Sequence, residues 1–230
     1  YSFRATANGT IKFEAAAQGT ESNLGTTVTS NTAQSNTITI KTTVTPLWIF
    51  NDDGNTQEFY NSAAPQRNPG SAVTLYVANQ NGKLYALNMN SGAKNWEYNI
   101  GSAIRSTPFI KGGEYIVFFG DESGGFHAVR DNTGSASLVW SRSPASGPIR
   151  TAASRWINGA EKRLYFGSLD GSLYCLDYDG NTCSDWSNPS LGSAIYSTPA
   201  LPNDGYVYVA TEAGSVFKID RTDGTIVSEF

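Results

Sequence analysis

Four stretches of the chain alternate apolar and polar residues in the same way and superimpose nearly without gaps. They are "TLYVANQNGKLYALNMNSGAKNW" at 74–96, "YIVFFGDESGGFHAVRDNTGSASLVW" at 115–140, "RLYFGSLDGSLYCLDYDGNTCSDW" at 163–186 and "YVYVATEAGSVFKIDRTDGTIVS" at 206–228. In each, an aromatic residue (Tyr76, Phe118, Tyr165, Tyr208) precedes a glycine (Gly82, Gly124, Gly171, Gly214) by six residues. Period-two alternation broken by glycine predicts short strands joined by tight hairpins. The dipeptides Asn81-Gly82, Asp170-Gly171, Ala213-Gly214 and Asp223-Gly224 supply residues that tolerate positive φ there. No apolar stripe of helical period competes with this reading.

A second register runs through the same segment. "GSAIRSTPFI", "SGPIRTAASR" and "GSAIYSTPAL" place Ile104, Ile149 and Ile195 at steps of 45 and 46, and Phe59 lies another 45 upstream. Trp48, Trp96, Trp140 and Trp186 mark a further strand, with Ser228 in the matching place of the last unit. Each unit therefore predicts four strands, and the units run over about 59–96, 104–140, 149–186 and 195–230. A period in the forties with four strands per unit is the signature of a β-propeller, here over residues 47–230. The tryptophans are expected to be buried between successive sheets, and Ser228 to be more exposed.

The strand, glycine turn, "LYAL", "SG" or "DG" turn and closing Trp resemble the pyrroloquinoline-quinone-like propeller repeat, over about residues 59–230. The resemblance implies the fold directly. It implies three kinds of function, since such repeats build quinoprotein dehydrogenases, outer-membrane assembly scaffolds and surface proteins associated with pili. Relatives usually close with seven or eight blades. Four units imply either a small closed ring or an arc finished by residues outside this chain.

Residues 1–46 do not fit the repeat and form a separate module. "YSFRATANGTIKFEAAA" alternates on both sides of Asn8-Gly9 and predicts a hairpin, while the Thr-rich run that follows predicts a second hairpin or an extended arm. The opening hairpin resembles the β-region of type IV pilins. That likeness implies a filament subunit or accessory, with a separate pilin stem subunit as partner.

The net charge of −4 without a Lys/Arg run gives no footprint for nucleic acid or an anionic membrane. No apolar stretch approaches the ~20 residues of a membrane helix. Because the chain opens at Tyr1, a leader or a larger upstream part is expected to have been removed. Cys175 and Cys183 flank a turn between two β-like runs, so a hairpin disulfide in an oxidising compartment, extracellular, cell-surface or periplasmic, is the natural reading. The alternative is two unpaired thiols in a cytosolic hairpin.

Catalytic chemistry finds little support. The quinoprotein relatives implied above carry adjacent disulfide-bonded cysteines, a Trp stacked on the quinone and oxygen ligands to calcium, whereas these cysteines are eight apart. His127, the single histidine, occupies the place of Tyr85, Tyr174 and Phe217, which predicts a packed ring rather than a base. Calcium candidates are Asp52, Asp53 and Asn55, and Asp177, Asp179 and Asn181, with plain turns as the alternative. The innermost strand would point Tyr60, Arg105, Arg150 and Tyr196 at a central channel, where two arginines would hold an anion or pair with acidic residues at its mouth.

The expectation is a non-catalytic, extracytoplasmic scaffold or interaction surface without a cofactor, with a quinoprotein fragment or an outer-membrane assembly scaffold as alternatives. Its partners are other protein chains, in a homo- or hetero-oligomer. If four blades close a ring, the residues around Trp48 lie beside the last unit; if not, the open sides of the first and last blades need cover.

Overall fold

The computed structural model describes residues 2–5, 10–14, 38–39, 46–52, 58–66, 73–159 and 161–230. The chain divides into two compact units, Tyr1–Leu47 and Trp48–Phe230. In the first, β1 (Ser2–Ala5) pairs antiparallel with β2 (Thr10–Glu14), with Phe3 opposite Phe13, and β2 pairs with β3 (Ile38–Thr39). The Asn8-Gly9 turn lies outside the described residues.

The second unit is four antiparallel sheets in sequence, and no helix occurs among the described residues. Blade 1 holds β4 (Ala64–Gln66), β5 (Thr74–Ala78), β6 (Lys83–Asn88) and β7 (Lys94–Asn99). Blade 2 holds β8 (Phe109–Lys111), β9 (Ile116–Gly120), β10 (Phe126–Asp131) and β11 (Ala136–Arg142). Blade 3 holds β12 (Ser154–Asn158), β13 (Glu161–Gly167) and β14 (Leu173–Asp177), and blade 4 holds β15 (Tyr206–Ala210), β16 (Val216–Asp220) and β17 (Ile226–Glu229).

Two blades fall short of the four strands that the repeat predicts. In blade 3 the outer strand is replaced by a loop that the Cys175–Cys183 disulfide ties to the middle of β14. A chain that folds straight back on its own strand within a sequence separation of 8, with Cys183 N–H donating to Cys175 C=O, has no length left for a ladder. In blade 4 the innermost strand shrinks to a bridge between Ala200 and Tyr208, because Pro199 and Pro202 flank it and bring no N–H to a ladder.

Equivalent residues line up across the sheets as the repeat requires. The register sets Tyr76 beside Ala86 and Ala86 beside Trp96, Phe118 beside Ala128 and Ala128 beside Trp140, and Tyr208 beside Lys218 and Lys218 beside Ser228. Trp96, Trp140 and Trp186 are 5%, 7% and 6% exposed, buried between sheets as expected, while Ser228 is half-buried. At the inner end of each junction an isoleucine, Ile104, Ile149 or Ile195, enters the preceding blade and donates its N–H to the carbonyl of Asn79, Asp121 or Ser168 (3.0, 2.9 and 3.1 Å). The approach is close enough that a Cβ on Gly120 or Gly167 would come within 2.2 or 2.3 Å of the isoleucine Cγ2.

Three hydrophobic clusters fill the three junctions between successive blades, and the described residues show no fourth joining blade 4 to blade 1. Burial along the second strand of each blade agrees. In β9, and in β13 from Arg163 onward, both faces are buried. In β5 only Thr74, Tyr76 and Ala78 are buried, and in β15 only Val207 and Val209. The end blades thus each bury the face turned to their one neighbour and leave the opposite face partly open.

Candidate functional site

The predicted rim residues lie on the inner segments, and Tyr60, Arg105 and Arg150 each have a protein partner. Arg150 meets Glu122 through two hydrogen bonds, Nε to Oε1 at 2.8 Å and Nη2 to Oε2 at 2.6 Å. Glu122 holds the Arg150 guanidinium above its ordinary pKa, mainly through this hydrogen bonding. Arg105 donates to Gln80 (3.1 Å) and lies 4.8 Å over the Tyr60 ring, and the Tyr60 hydroxyl is hydrogen-bonded to Glu58. Tyr60 and Tyr196 are 55% and 49% exposed. At two junctions the arginine therefore faces the equivalent residue of the preceding blade, Arg150 facing Glu122 and Arg105 facing Gln80. Arg150 is thus charge-matched by Glu122, whereas Arg105 meets only the neutral Gln80 amide and the Tyr60 ring, and its Nε has no hydrogen-bond partner.

The calcium candidates are spread over two places. Asp52 is buried against blade 1, accepting from Asn79 Nδ2 (3.0 Å) with Lys83 Nζ at 3.6 Å; Asp53 and Asn55 lie outside the described residues. Asp177 closes its own turn. One oxygen accepts from the N–H groups of Asp179 (2.9 Å) and Asn181 (2.8 Å), and the other from the Asn181 side chain (3.0 Å). Among the described residues no three acidic, His or Cys side chains converge as a cation site would need.

His127 is buried, its ring 5.2 Å from Phe119 and its Nε2 2.9 Å from Asp121 Oδ2. Blade 1 builds the same contact from other residues, Asn79 Nδ2 to Tyr85 Oη at 3.2 Å. Ser123 donates its hydroxyl to Asp121 at 2.7 Å. Burial by itself would raise the Asp121 pKa, but hydrogen bonds from His127, Ser123 and the Gly125 N–H outweigh it and hold the carboxyl at about 2. A group whose folded pKa lies below its unfolded value near ~3.9 stabilises the fold fully above that value and loses this as pH falls through the folded one. Urea titrations should accordingly show wild type losing about 2 kcal/mol between pH 5 and pH 2 relative to Asp121→Asn, which has nothing to titrate. Parallel pH profiles for the two proteins would remove Asp121 as the cause.

Repeat alignment does not reveal a cleft of about 650 Å³ at the outer ends of blades 2 and 3, lined among others by Lys111, Glu114, Lys162, Asp177 and Tyr178. Lys111 and Lys162 stand 4.8 and 5.9 Å from the Tyr178 ring. These residues come from different blades and share no motif, so only their assembly brings them together. The lining mixes both charges.

The open faces are the remaining candidates. On blade 1, Phe50 lies 5.1 Å from Tyr85 and 6.3 Å from Phe59, and Trp48 donates its indole N–H to Met89 C=O at 2.9 Å. On blade 4 the face carries Tyr206, Tyr208, Val216, Lys218 and Ser228, with Lys218 Nζ 3.9 Å from the Tyr206 ring.

The family described as "Outer membrane protein assembly factor BamB" matches residues 25–181 and 119–229. The chain belongs to this family. Its fold is similar to that of two solved structures, the computationally designed Ika8 protein (TM-score 0.56, 15% identity, 72% of this chain and 48% of that one) and BamB from Moraxella catarrhalis (TM-score 0.51, 21% identity, 68% and 48%). It is 28% identical over 166 residues to Protein GAMETE EXPRESSED 3 of Arabidopsis thaliana, covering 67% of this chain and 24% of that protein. The chain thus spans about half of the solved structures and about a quarter of the plant relative that it matches.

The quinone that gives the repeat its name does not fit the residues present. Cys175 and Cys183 form a disulfide inside blade 3, and Trp96, Trp140 and Trp186 are enclosed between sheets, where no planar cofactor can stack on them.

Proposed function

We propose that this chain is a non-catalytic, extracytoplasmic scaffold that presents propeller sheets to other protein chains. The observation that carries the reading is the pair of end blades, each with one partly open face bearing aromatic side chains. Such a face is a ready site for packing by another sheet. The Cys175–Cys183 disulfide supports an oxidising compartment, and among the described residues no helix is long and apolar enough to cross a membrane. BamB-family membership supports the scaffold role and, more narrowly, a part in outer-membrane assembly.

A filament form of the same reading, with the N-terminal unit joining a pilus-like assembly, is favoured by the Ser2–Glu14 hairpin alone. Its test is immunogold labelling of the cell surface.

The main test is incubation with pyrroloquinoline quinone and Ca²⁺, removal of the excess, then absorbance and dye-coupled oxidation of alcohols and sugars. Neither retained quinone nor turnover is expected. Turnover dependent on both additions would overturn the scaffold reading and restore a quinoprotein.

A further inference from the structure

The cleft of about 650 Å³ between blades 2 and 3 is held in shape by the chain itself. Part of its lining is the loop that follows β14, and three ties fix that loop. They are the Cys175–Cys183 disulfide, Trp140 Nε1 donating to Tyr178 C=O at 2.9 Å, and Arg142 Nε donating to Gly180 C=O at 3.0 Å. The rest comes from the end of β8 and the turn after it, with Lys111 and Glu114, and from the start of β13, with Lys162. Tyr178 packs its ring on Phe118 at 5.5 Å and lies beneath both lysine ammoniums. A cleft already ordered in this way loses little further freedom when it is filled.

Part of the charge along the cleft is already spent within the fold. Arg163 is taken up by Glu161 and by the carbonyls of Arg221 and Thr222, and Asp177 accepts three hydrogen bonds from its own turn. Lys111 pairs with Glu114, whereas Lys162 has no ion pair among the described residues and stands over the same ring as Lys111. Glu114 is half exposed, and Lys111 foremost, then Lys162 and Arg130, hold its carboxyl below the ordinary pKa. It is the anion that the cluster of cations now holds. Asp179, Thr182 and Ser184 are exposed on the loop and bring an acceptor and two hydroxyls. The apolar members of the lining, Tyr178 and Cys183, are each 7% exposed, so the cleft presents no exposed apolar side chain.

We propose that this cleft binds an acidic saccharide, its carboxylate held by Lys111 and Lys162 in place of Glu114 and its ring hydroxyls bonded to Asp179, Thr182 and Ser184. The volume lies within the usual range of small-molecule sites. A uronate sugar carries one carboxylate beside a row of hydroxyls, which matches paired ammoniums beside a row of polar groups. A bare inorganic anion would leave the loop side chains unused. A peptide matches less well, because peptides are held by apolar anchors or by strand addition to a free sheet edge. The cleft offers no apolar pocket, and the outer side of β14 is occupied by its own loop, with Cys183 N–H on Cys175 C=O and Asp177 N–H on Asn181 C=O.

This inference goes beyond the scaffold reading and does not depend on it. The test is an NMR titration of the nitrogen-15-labelled full chain with short oligomers of galacturonate, of mannuronate and of alternating glucuronate and N-acetylglucosamine. Neutral oligohexoses, inorganic phosphate and an oligoglutamate peptide serve as comparisons. At least one uronate oligomer should bind, and its affinity should fall as salt is raised. Lys162→Met, at an exposed position, should weaken that binding by about tenfold or more. Glu114→Gln should strengthen it by about threefold, because the built-in competitor loses its charge; a purely structural Glu114 would give no gain. No binding by any uronate, or binding that Lys162→Met leaves unchanged, overturns the site. Equal binding of the neutral oligomers or of phosphate, or tighter binding of the glutamate peptide, overturns the saccharide as its occupant. None of these results touches the scaffold reading, which fails only on quinone-dependent turnover.

Discussion

Trp140→Ala should lower the unfolding free energy by about 3–5 kcal/mol, the usual range when a large buried aromatic is truncated and a cavity remains. The indole is held on every side. It lies 5.7 Å from Phe118 and 6.1 Å from Phe126 in its own blade, covers Gly180 of the next, and spends its N–H on Tyr178 C=O. Removal leaves a void between two sheets that cannot approach, because the Ile149 contact with Gly120 already holds them at their minimum spacing. The carbonyl of Tyr178 also loses its donor. Urea unfolding followed by circular dichroism measures the loss, with Val227→Ala on an exposed strand as a control expected within about 0.5 kcal/mol. A loss below about 1 kcal/mol would mean that the indole does not wedge the blades together.

Gly120→Val is expected to cost about 3 kcal/mol or more, from overpacking instead of a cavity. A Cβ at Gly120 would stand 2.2 Å from Ile149 Cγ2 and 2.8 Å from the Ile149 carbonyl oxygen, so both a side chain and the backbone obstruct it. Backbone cannot rotate away, and blades 2 and 3 must separate. Gly120→Ala should cost less, about 1–3 kcal/mol, since Ala78 occupies the same place where blade 1 receives Ile104. Gly112→Ala is the control, its nearest neighbour being the Gln66 side chain at 3.9 Å. Thermal unfolding of the three variants checks the order. Equal stability of Gly120→Val and Gly112→Ala would show that the junction between blades 2 and 3 is looser than the structure has it.

Both effects explain why the repeat was legible. A blade junction demands an aromatic on strand two, a small residue beside it, a tryptophan at the outer edge and a glycine or alanine under the incoming isoleucine, and each demand leaves a residue at a fixed spacing. The alternation, the glycine turns and the Trp and Ile registers therefore determined an all-β propeller of four units by themselves. The packed role of His127 was legible for the same reason, since the repeat offers an aromatic seat at that position.

Other features depend on contacts between residues far apart in the chain, which no local pattern encodes. Arg150 reads the same in sequence whether it faces an anion or Glu122, and only the seating of blade 3 on blade 2 decides for Glu122. Asp177 reads as a calcium ligand or as a turn, and only the structure shows that both its carboxylate oxygens accept hydrogen bonds from within its own turn. The outer cleft at Tyr178 exists because two blades set Lys111 and Lys162 over one ring. Trp48 and Ser228 stand out from the sequence only as the first member and the gap in a series. The seat of Trp48 over Gly92 came only from the tertiary structure, because an indole excludes other atoms from the volume that it fills.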